Sequence, residues 1–472
     1  MTQTLFFYDL ETTGLNSRED RIMQFAGQRT DLELRPIGEP FNLLVRLNDD
    51  TLPSPEALMV TGISPQKTVD EGYTEAEFAK ILMNEVFTPD TVAVGFNNVR
   101  FDDEFIRHLF WRNFYDPYEW TWKDGRSRWD LLDVVRMTRA LRPDGIEWPM
   151  DGDKPVNKLE RITKENKIDH LQAHDALSDV VALIRVSELI KQKQPDLYRY
   201  LFSMRDKKEV KKLVNLDDKR PFVYTSGRYD NDFLKTTVAM PLTSGPNSNV
   251  IVYDLRYDPA PFIAMDNKEL AALLFATYEE RMADGFTRVP VKQLQYNRVP
   301  AIAPMGVLGQ VEGWQKIGLD KDTVEKHKKT LLFSPHFAEN IRSLFENRPG
   351  FPAAADVEAQ LYDGFVSDRD RMRIDTIRSA DESTLADMQP EFSDERLTPL
   401  LLHYKARNFP RTLSETEVLQ WEEWRSGRLQ RQLPGFIASL TKLQAEKAGD
   451  TNADYILSEM QLWVESVLPA ED

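Results

Sequence analysis

Two acidic residues one apart, Asp9 and Glu11 in the run Tyr8-Asp9-Leu10-Glu11-Thr12-Thr13-Gly14, are the first side chains of this sequence whose spacing could do chemistry. Side chains alternate along a strand, so both carboxylates face one side while Leu10 faces the other. Like charges held that close repel, and a hard divalent cation, magnesium or manganese, would relieve the repulsion. A solvated strand end running into a turn fits the same residues. A second group lies in Asn97-Asn98-Val99-Arg100-Phe101-Asp102-Asp103, where a strand gives way to a helix. Asp102 there would open on the same sheet edge as Asp9, although acids in a first helical turn are also favoured by the helix dipole alone. A third lies in His174-Asp175-Ala176-Leu177-Ser178-Asp179. Asp175 reads as a helix N-cap, with His174 in irregular chain outside the helix and Asp179 in its early turns; a solvated loop histidine is the plainer alternative. Four carboxylates around two metal ions, with a histidine of near-neutral pKa as proton acceptor, meet the needs of phosphodiester hydrolysis.

The elements that must position these residues read as α/β. Leu5–Tyr8, Ile22–Gln28, Phe41–Arg46 and Val92–Phe96 are candidate strands, and helical periodicity runs through Ala76–Phe87, Phe101–Phe114 and Asp175–Ile190, the last with a stripe of Leu177, Val180, Val181 and Ile184. Phe101 and Phe105, four apart, would anchor their helix in the core. A charge-dense helical or irregular connector spans 194–220, short β pieces separated by Gly and Pro turns follow to residue 300, and the chain after Phe351 is amphipathic and helical around 357–365, 397–406, 415–429 and 454–467.

Composition narrows the classes. The 472 residues suggest two to four domains, 41% hydrophobic content supports folded cores, and the absence of cysteine excludes disulfides and thiolate chemistry. No apolar run approaches the ~20 residues of a membrane span, and no secretory signal is expected. A net charge of −17 opposes nucleic-acid binding as a global sum, so any phosphate contact must come from cations placed locally.

Asp9-x-Glu11, Asn98-x-x-Phe101-Asp102 and His174-x-x-x-x-Asp179 resemble the three exonuclease motifs of the DEDDh, DnaQ-like superfamily, and the surrounding words Gly95–Glu104, Ser127–Asp133, Ala359–Phe365 and Tyr404–Pro410 resemble bacterial exonuclease I across essentially the whole chain. The resemblance implies a ribonuclease-H-like exonuclease domain with a mixed sheet and flanking helices at 1–195, an SH3-like β-rich domain with helical insertions at 196–350, and an all-helical C-terminal domain at 351–472. It implies a 3′ to 5′ exodeoxyribonuclease releasing 5′-mononucleotides from single-stranded DNA in repair and recombination. Asp9, Glu11, Asp102 and Asp179 would hold two Mg2+ ions, with Mn2+ as a substitute, and His174 would be the general base. Glu11, Arg107, Tyr118, Trp122, Arg136 and Lys158 would contact the strand. Arg142 and Tyr200 would take the acidic tail of single-stranded DNA-binding protein. A cytoplasmic monomer without a membrane partner is expected.

Five of the nine tryptophans, Trp111, Trp120, Trp122, Trp129 and Trp148, cluster with eight arginines and lysines between residues 107 and 148. That mixture suits base stacking and phosphate contact, and it also suits core filling, the reading taken for Phe110 and Phe114. Two other readings stand beside the first: a DEDDh nuclease acting on RNA or in proofreading, and a catalytically silent strand-binding scaffold.

Overall fold

The computed structural model describes residues 3–170, 175–309, 312–350 and 352–468. It comprises two compact units, one of Met1–Arg128, His170–Ile184 and Pro352–Asp472, the other of Trp129–Asp169 and Arg185–Phe351. In the first unit a mixed sheet runs β3 (Phe41–Leu44), β2 (Ile22–Thr30), β1 (Thr4–Thr12), β4 (Thr91–Gly95), with edge strand β5 (Ser127–Asp130) at the point where the chain leaves the unit. β1 pairs antiparallel with β2 and parallel with β4. Both faces of β1 are covered, which is why Leu5-Phe6-Phe7-Tyr8 is apolar without interruption.

Three short helices follow β3: α1 (Pro55–Thr61), α2 (Pro65–Glu71) and α3 (Glu75–Ile81). Ser54, Ser64 and Thr74 cap them by accepting from backbone amides, and Pro55 and Pro65 open the first two where a missing N–H costs nothing. The periodicity expected to carry one helix to Phe87 breaks at Ile81 into a π-turn, Leu82–Val86. The change of phase keeps Leu82, Val86 and Phe87 all buried. After β4 comes α4 (Asp102–Arg112), with Phe105 in the core and Phe101 against its ring at 5.0 Å, as the spacing implied.

The second unit contains α5 (Leu131–Leu141), the two-residue strands β6 (Met150–Asp151) and β7 (Lys154–Pro155), and α6 (Leu159–Glu165). Helix α7 (Ala176–Lys193) belongs to the first unit as far as Ile184. Its buried stripe includes Val180, Leu183 and Ile184; Val181, expected there, is 45% exposed because it is rotated one position off that face. The connector is helical at Pro195–Ser203 and Lys207–Leu213. An antiparallel five-stranded sheet then forms from β8 (Phe222–Thr225), β9 (Thr236–Ser244), β10 (Val250–Asp254), β11 (Val291–Leu294) and β12 (Ala301–Pro304) in the order β11-β10-β9-β8-β12.

The C-terminal helices Leu397–Asn408, Glu415–Glu446 and Thr451–Val467 match the expected amphipathic stretches, whereas the stretch around 357–365 forms 3₁₀ turns at Val357–Tyr362. These helices complete the first unit. Leu440, Leu443, Met460 and Trp463 pack on Met23, Leu47, Leu58 and Ile63. Beneath that seam lies a fully buried ionic cluster: Arg21 reaches Glu358 at 2.8 Å and Asp50 at 3.3 Å, Arg407 reaches Asp50 at 2.9 Å and Glu358 at 2.5 Å, and His403 Nδ1 lies 2.9 Å from Glu358. Burial opposes ionisation of Asp50 and Glu358, but Arg407 and Arg21 outweigh it and hold both carboxyls below their ordinary range. The stabilisation this supplies is complete above the unfolded carboxylate pKa of about 4 and is lost as pH falls below it. Glu358→Ala leaves two buried guanidinium groups sharing the single carboxylate of Asp50 and should cost about 3–5 kcal/mol at neutral pH, read as an early denaturant transition of the C-terminal helices. The wild-type advantage over the variant should shrink toward pH 3.

Candidate active site

Asp9 and Glu11 stand two apart on β1 and face the same side, while Leu10 is buried on the other. Their carboxylates and that of Asp179 in the first turn of α7 bring oxygen atoms within 4.8 Å of one another. Asp175 caps that helix by accepting from the Ser178 amide at 3.0 Å, which holds Asp179 in register. Asp102 heads α4, is buried, and raises the proton affinity of both β1 acids. His174 lies outside the described residues.

The turns behind these acids explain their flanking residues. After β1, Arg21 N donates to Thr13 Oγ1 at 2.8 Å, and Asp20 packs so tightly that a β-carbon on Gly14 would stand 2.4 Å from its carboxylate. After β4, Asn97 adopts φ +71°, and a side chain at Gly95 would collide with Asn98 at 2.5 Å. This turn brings Asp103 inward rather than to solvent: Tyr8 Oη donates to its carboxylate at 2.5 Å, Asn98 Nδ2 donates at 3.3 Å, and Arg128 forms a buried ion pair with it. Asp103, next to Asp102 in sequence, thus ties together β1, the turn after β4, and β5.

Crowding of the acids is visible in their proton affinities. Burial and then Asp102, Asp179 and Glu11 push Asp9 well above the ordinary carboxylate range, and burial followed by Asp179, Asp102 and Asp175 pushes Glu11 up to about 8. One residue that the motif reading passed over sits among them: His170 Nε2 lies 2.5 Å from Asp179 Oδ1. Its signal in the sequence is only its position four before His174, which motif spacing does not mark. The donor set is all hard carboxylate oxygen, crowded and short of positive charge, and so fits one or more divalent cations.

The residues expected to contact a strand divide. Arg107 is buried, bonded to Glu104 at 2.9 Å, and lies 5.5 Å from the Tyr118 ring centre. Tyr362, which sequence reasoning did not single out, completes this group: its hydroxyl donates to Glu104 and accepts from Arg107 at 3.4 Å, and its ring centre lies 6.4 Å from that of Tyr118. Trp122 is 63% exposed, while Trp111, Trp120 and Trp129 are core residues. A cavity of about 930 Å³ in the same unit is lined by Tyr115, Tyr118, Phe365, Arg126, Arg371 and Arg378. Arg136, Lys158, Arg142 and Tyr200 belong to the other unit. There Arg136 pairs with Asp133 at 2.7 Å, Lys158 is exposed, Arg142 donates to the carbonyls of Leu141 and Val307, and burial followed by Glu209 pushes Tyr200 up to about 12.

A crowded acidic edge on a sheet of this order suits hydrolysis of a phosphodiester with divalent cations, and the class it belongs to is that of the exonucleases. Residues 6–187 match the family pattern described as exonuclease, 205–347 the exonuclease I SH3-like domain, and 355–467 the exonuclease I C-terminal domain. The chain is 40% identical over 443 residues to exodeoxyribonuclease I of Haemophilus influenzae, covering 93% of each. It superimposes with a TM-score of 0.95 on Escherichia coli exonuclease I in complex with a dA16 oligonucleotide, at 37% identity and covering 99% of this chain and 100% of that one. The E. coli enzyme has also been solved in a zinc-bound complex with single-stranded DNA (TM-score 0.94, 36% identity), and a further similar structure is of SSB/exonuclease I in complex with an inhibitor (TM-score 0.92, 36% identity), each covering 99% of this chain and 100% of that one. The chain belongs to the exonuclease I family.

The raised proton affinity of Glu11 has a measurable sign. A carboxyl whose folded pKa exceeds its unfolded value stabilises the fold at low pH and loses that contribution as pH rises through the folded pKa. With divalent ions chelated, the thermal midpoint should therefore fall between about pH 5 and pH 8. Glu11→Gln should flatten this profile and be the more stable protein at pH 8.5, by an amount on the order of a few kcal/mol. An unchanged profile would show that the acids are not crowded in solution.

Proposed function

We propose that this exonuclease removes 5′-mononucleotides one at a time from the 3′ end of single-stranded DNA, working with two divalent cations for which Mg2+ is the fitting ion and Mn2+ a substitute. The observation that carries the reading is the convergence of Asp9, Glu11 and Asp179 within 4.8 Å, with Asp102 adding its charge beside them. These four carboxylates would hold the ions, which when bound would neutralise the phosphodiester and favour deprotonation of the attacking water. His174 takes the water's proton as general base, its ordinary pKa near neutrality suiting the task. Glu11 would also contact the terminal nucleotide.

The strand is held by different residues. Arg107, positioned by Glu104 and Tyr362, and the faces of Tyr118 and Trp122 supply cation and stacking surface, with Arg136 and Lys158 as further phosphate contacts. Phe365, 88% exposed at the cavity that Tyr118 lines, extends the aromatic surface. Arg142 and Tyr200 form the docking point for the acidic tail of single-stranded DNA-binding protein, a reading supported by the similar solved structure of SSB/exonuclease I. Domain limits near 195 and 350, action as a cytoplasmic monomer, and a place in repair and recombination complete the proposal. No helix among the described residues is long and apolar enough to cross a membrane.

On 3′-labelled single strands with magnesium, Asp9→Ala should lower mononucleotide release by more than about a thousandfold while binding changes only a few-fold, because ion holding and strand grip use different side chains. Retained cleavage would remove Asp9 from the metal site, and equal degradation of RNA would remove the DNA preference. Trp122→Ala should instead weaken single-strand binding by about 1–3 kcal/mol with catalysis at saturation preserved, measured by fluorescence anisotropy alongside single-turnover kinetics.

A further inference from the structure

The small β-rich unit holds a second cavity, of about 460 Å³, that no step of the proposed reaction uses. It opens beside the C-terminal end of β10, and its lining includes four cationic side chains, Arg228, Arg256, Arg288 and Lys292, against two acids, Asp230 and Asp254. A local surplus of positive charge in a chain of net charge −17 needs an explanation.

Part of that charge is structural. Arg256 donates to the carbonyls of Gly318, Thr236 and Ile317 and lies 3.6 Å from the centre of the Phe233 ring, so it builds the wall. Lys292 Nζ lies 4.0 Å from the Tyr224 ring centre and 4.8 Å from that of Tyr229. Arg228 and Arg288 are different: both are exposed at the mouth, and neither side chain forms an ion pair or hydrogen bond among the described residues. Burial, followed by the positive charges of Arg281 and Arg228, lowers the proton affinity of Arg288. Two aromatic side chains also line the cavity, Tyr257, which is 45% exposed, and the half-buried Phe286. At the floor the Tyr229 hydroxyl is buried without a hydrogen-bond partner among the described residues. Its neighbour Asp254 is already bonded to Thr237 and to the Arg256 amide.

We infer that this cavity is a binding site for a nucleoside monophosphate, free or as one unit of a single strand, with Arg228 and Arg288 on the phosphate, Tyr257 and Phe286 flanking the base and the Tyr229 hydroxyl meeting a polar edge of the base. Two mutually repelling guanidinium groups at a cavity mouth suit a phosphate, whose anionic oxygens accept from both forks and offset their repulsion. Flat apolar walls suit a base, since every base offers a π-face. A volume within the ordinary ligand range accommodates one nucleotide but not a folded partner. The proposal is separate from the catalytic centre, since all the side chains it invokes lie between residues 228 and 292 and none is an acid of that centre.

Calorimetric titration of dAMP into the full-length protein, with divalent ions chelated so that hydrolysis does not contribute, tests it. Wild type and Asp9→Ala should bind alike. The double variant Arg228→Ser/Arg288→Ser, whose sites are exposed and outside the core, should bind about tenfold or more weakly with an unchanged thermal midpoint. Deoxyadenosine and inorganic phosphate should each bind less tightly than dAMP. Displacement of dAMP by excess oligothymidylate would identify the strand as the source of the nucleotide, and failure to displace it would identify the free mononucleotide; either agrees with the proposal. Absence of dAMP binding, undiminished binding by the double variant, loss of binding in Asp9→Ala, or binding of an acidic peptide in place of dAMP would overturn it. Photolabelling with 8-azido-dAMP should mark the peptides carrying Tyr257 or Phe286, and label found only elsewhere would also overturn it.

Discussion

Repulsion among carboxylates at one sheet edge is the constraint on which the first unit is built. Oxygen atoms of Asp9, Glu11 and Asp179 lie within 4.8 Å of each other. At an effective dielectric constant near 20 each fully ionised pair at that distance costs about 3 kcal/mol, before the charge of Asp102 is added. No local propensity keeps such groups together. They are held by what surrounds them, and the surrounding structure is correspondingly rigid: a central strand buried on both faces, glycines at Gly14 and Gly95 where neighbours leave no room for a β-carbon, and an N-cap at Asp175 that fixes the start of α7.

The same principle, with the opposite sign of charge balance, operates at Asp103. That carboxylate stands next to Asp102 in sequence, yet it is fully buried and satisfied by Tyr8, Asn98 and Arg128. One acid of the adjacent pair is neutralised and becomes a brace; the other is left with unfavourable neighbours and becomes a candidate ligand. The buried cluster of Arg21, Asp50, Glu358, His403 and Arg407 acts at longer range, joining the chain just after the β1 turn to helices more than three hundred residues later. Although this cluster gathers carboxylates and a histidine as a metal site would, its guanidinium groups already supply the positive charge, so an ion has nothing to add there.

Much of this was legible in the sequence because the informative features were local. Period-two spacing placed Asp9 and Glu11 on one face, the strand-to-helix junction placed Asp102, and the N-cap placed Asp179. What was not legible depended on contacts distant in sequence. Arg107 reads from the sequence as a contact to the DNA strand, but that Glu104 and Tyr362 bury and orient it is visible only in the fold. Tryptophans interleaved with arginines read as a stacking surface, yet Trp111, Trp120 and Trp129 fill cores and only Trp122 of these four is largely exposed. The amphipathic pattern near 357–365 is real, but 3₁₀ turns pack its Val357 and Leu361 into the cluster of Trp111 and Phe114 without an α-helix and leave Phe365 exposed. His170 carries no motif at all; only the fold reveals that it reaches Asp179.

Net charge is the remaining tension. At −17, the chain as a whole repels polyanions, and several of its buried cations are committed to internal partners. Arg21, Arg112 and Arg407 neutralise buried acids, and Arg256 props a wall. The guanidinium groups left without carboxylate partners therefore carry disproportionate information, because in an acidic protein a free arginine could have found a partner cheaply. A molecule that must admit one flexible strand while rejecting bulk polyanion benefits from this distribution: a repulsive exterior keeps non-specific adsorption low, and positive charge concentrated in concave, aromatic-lined sites acts only on a chain thin enough to enter them.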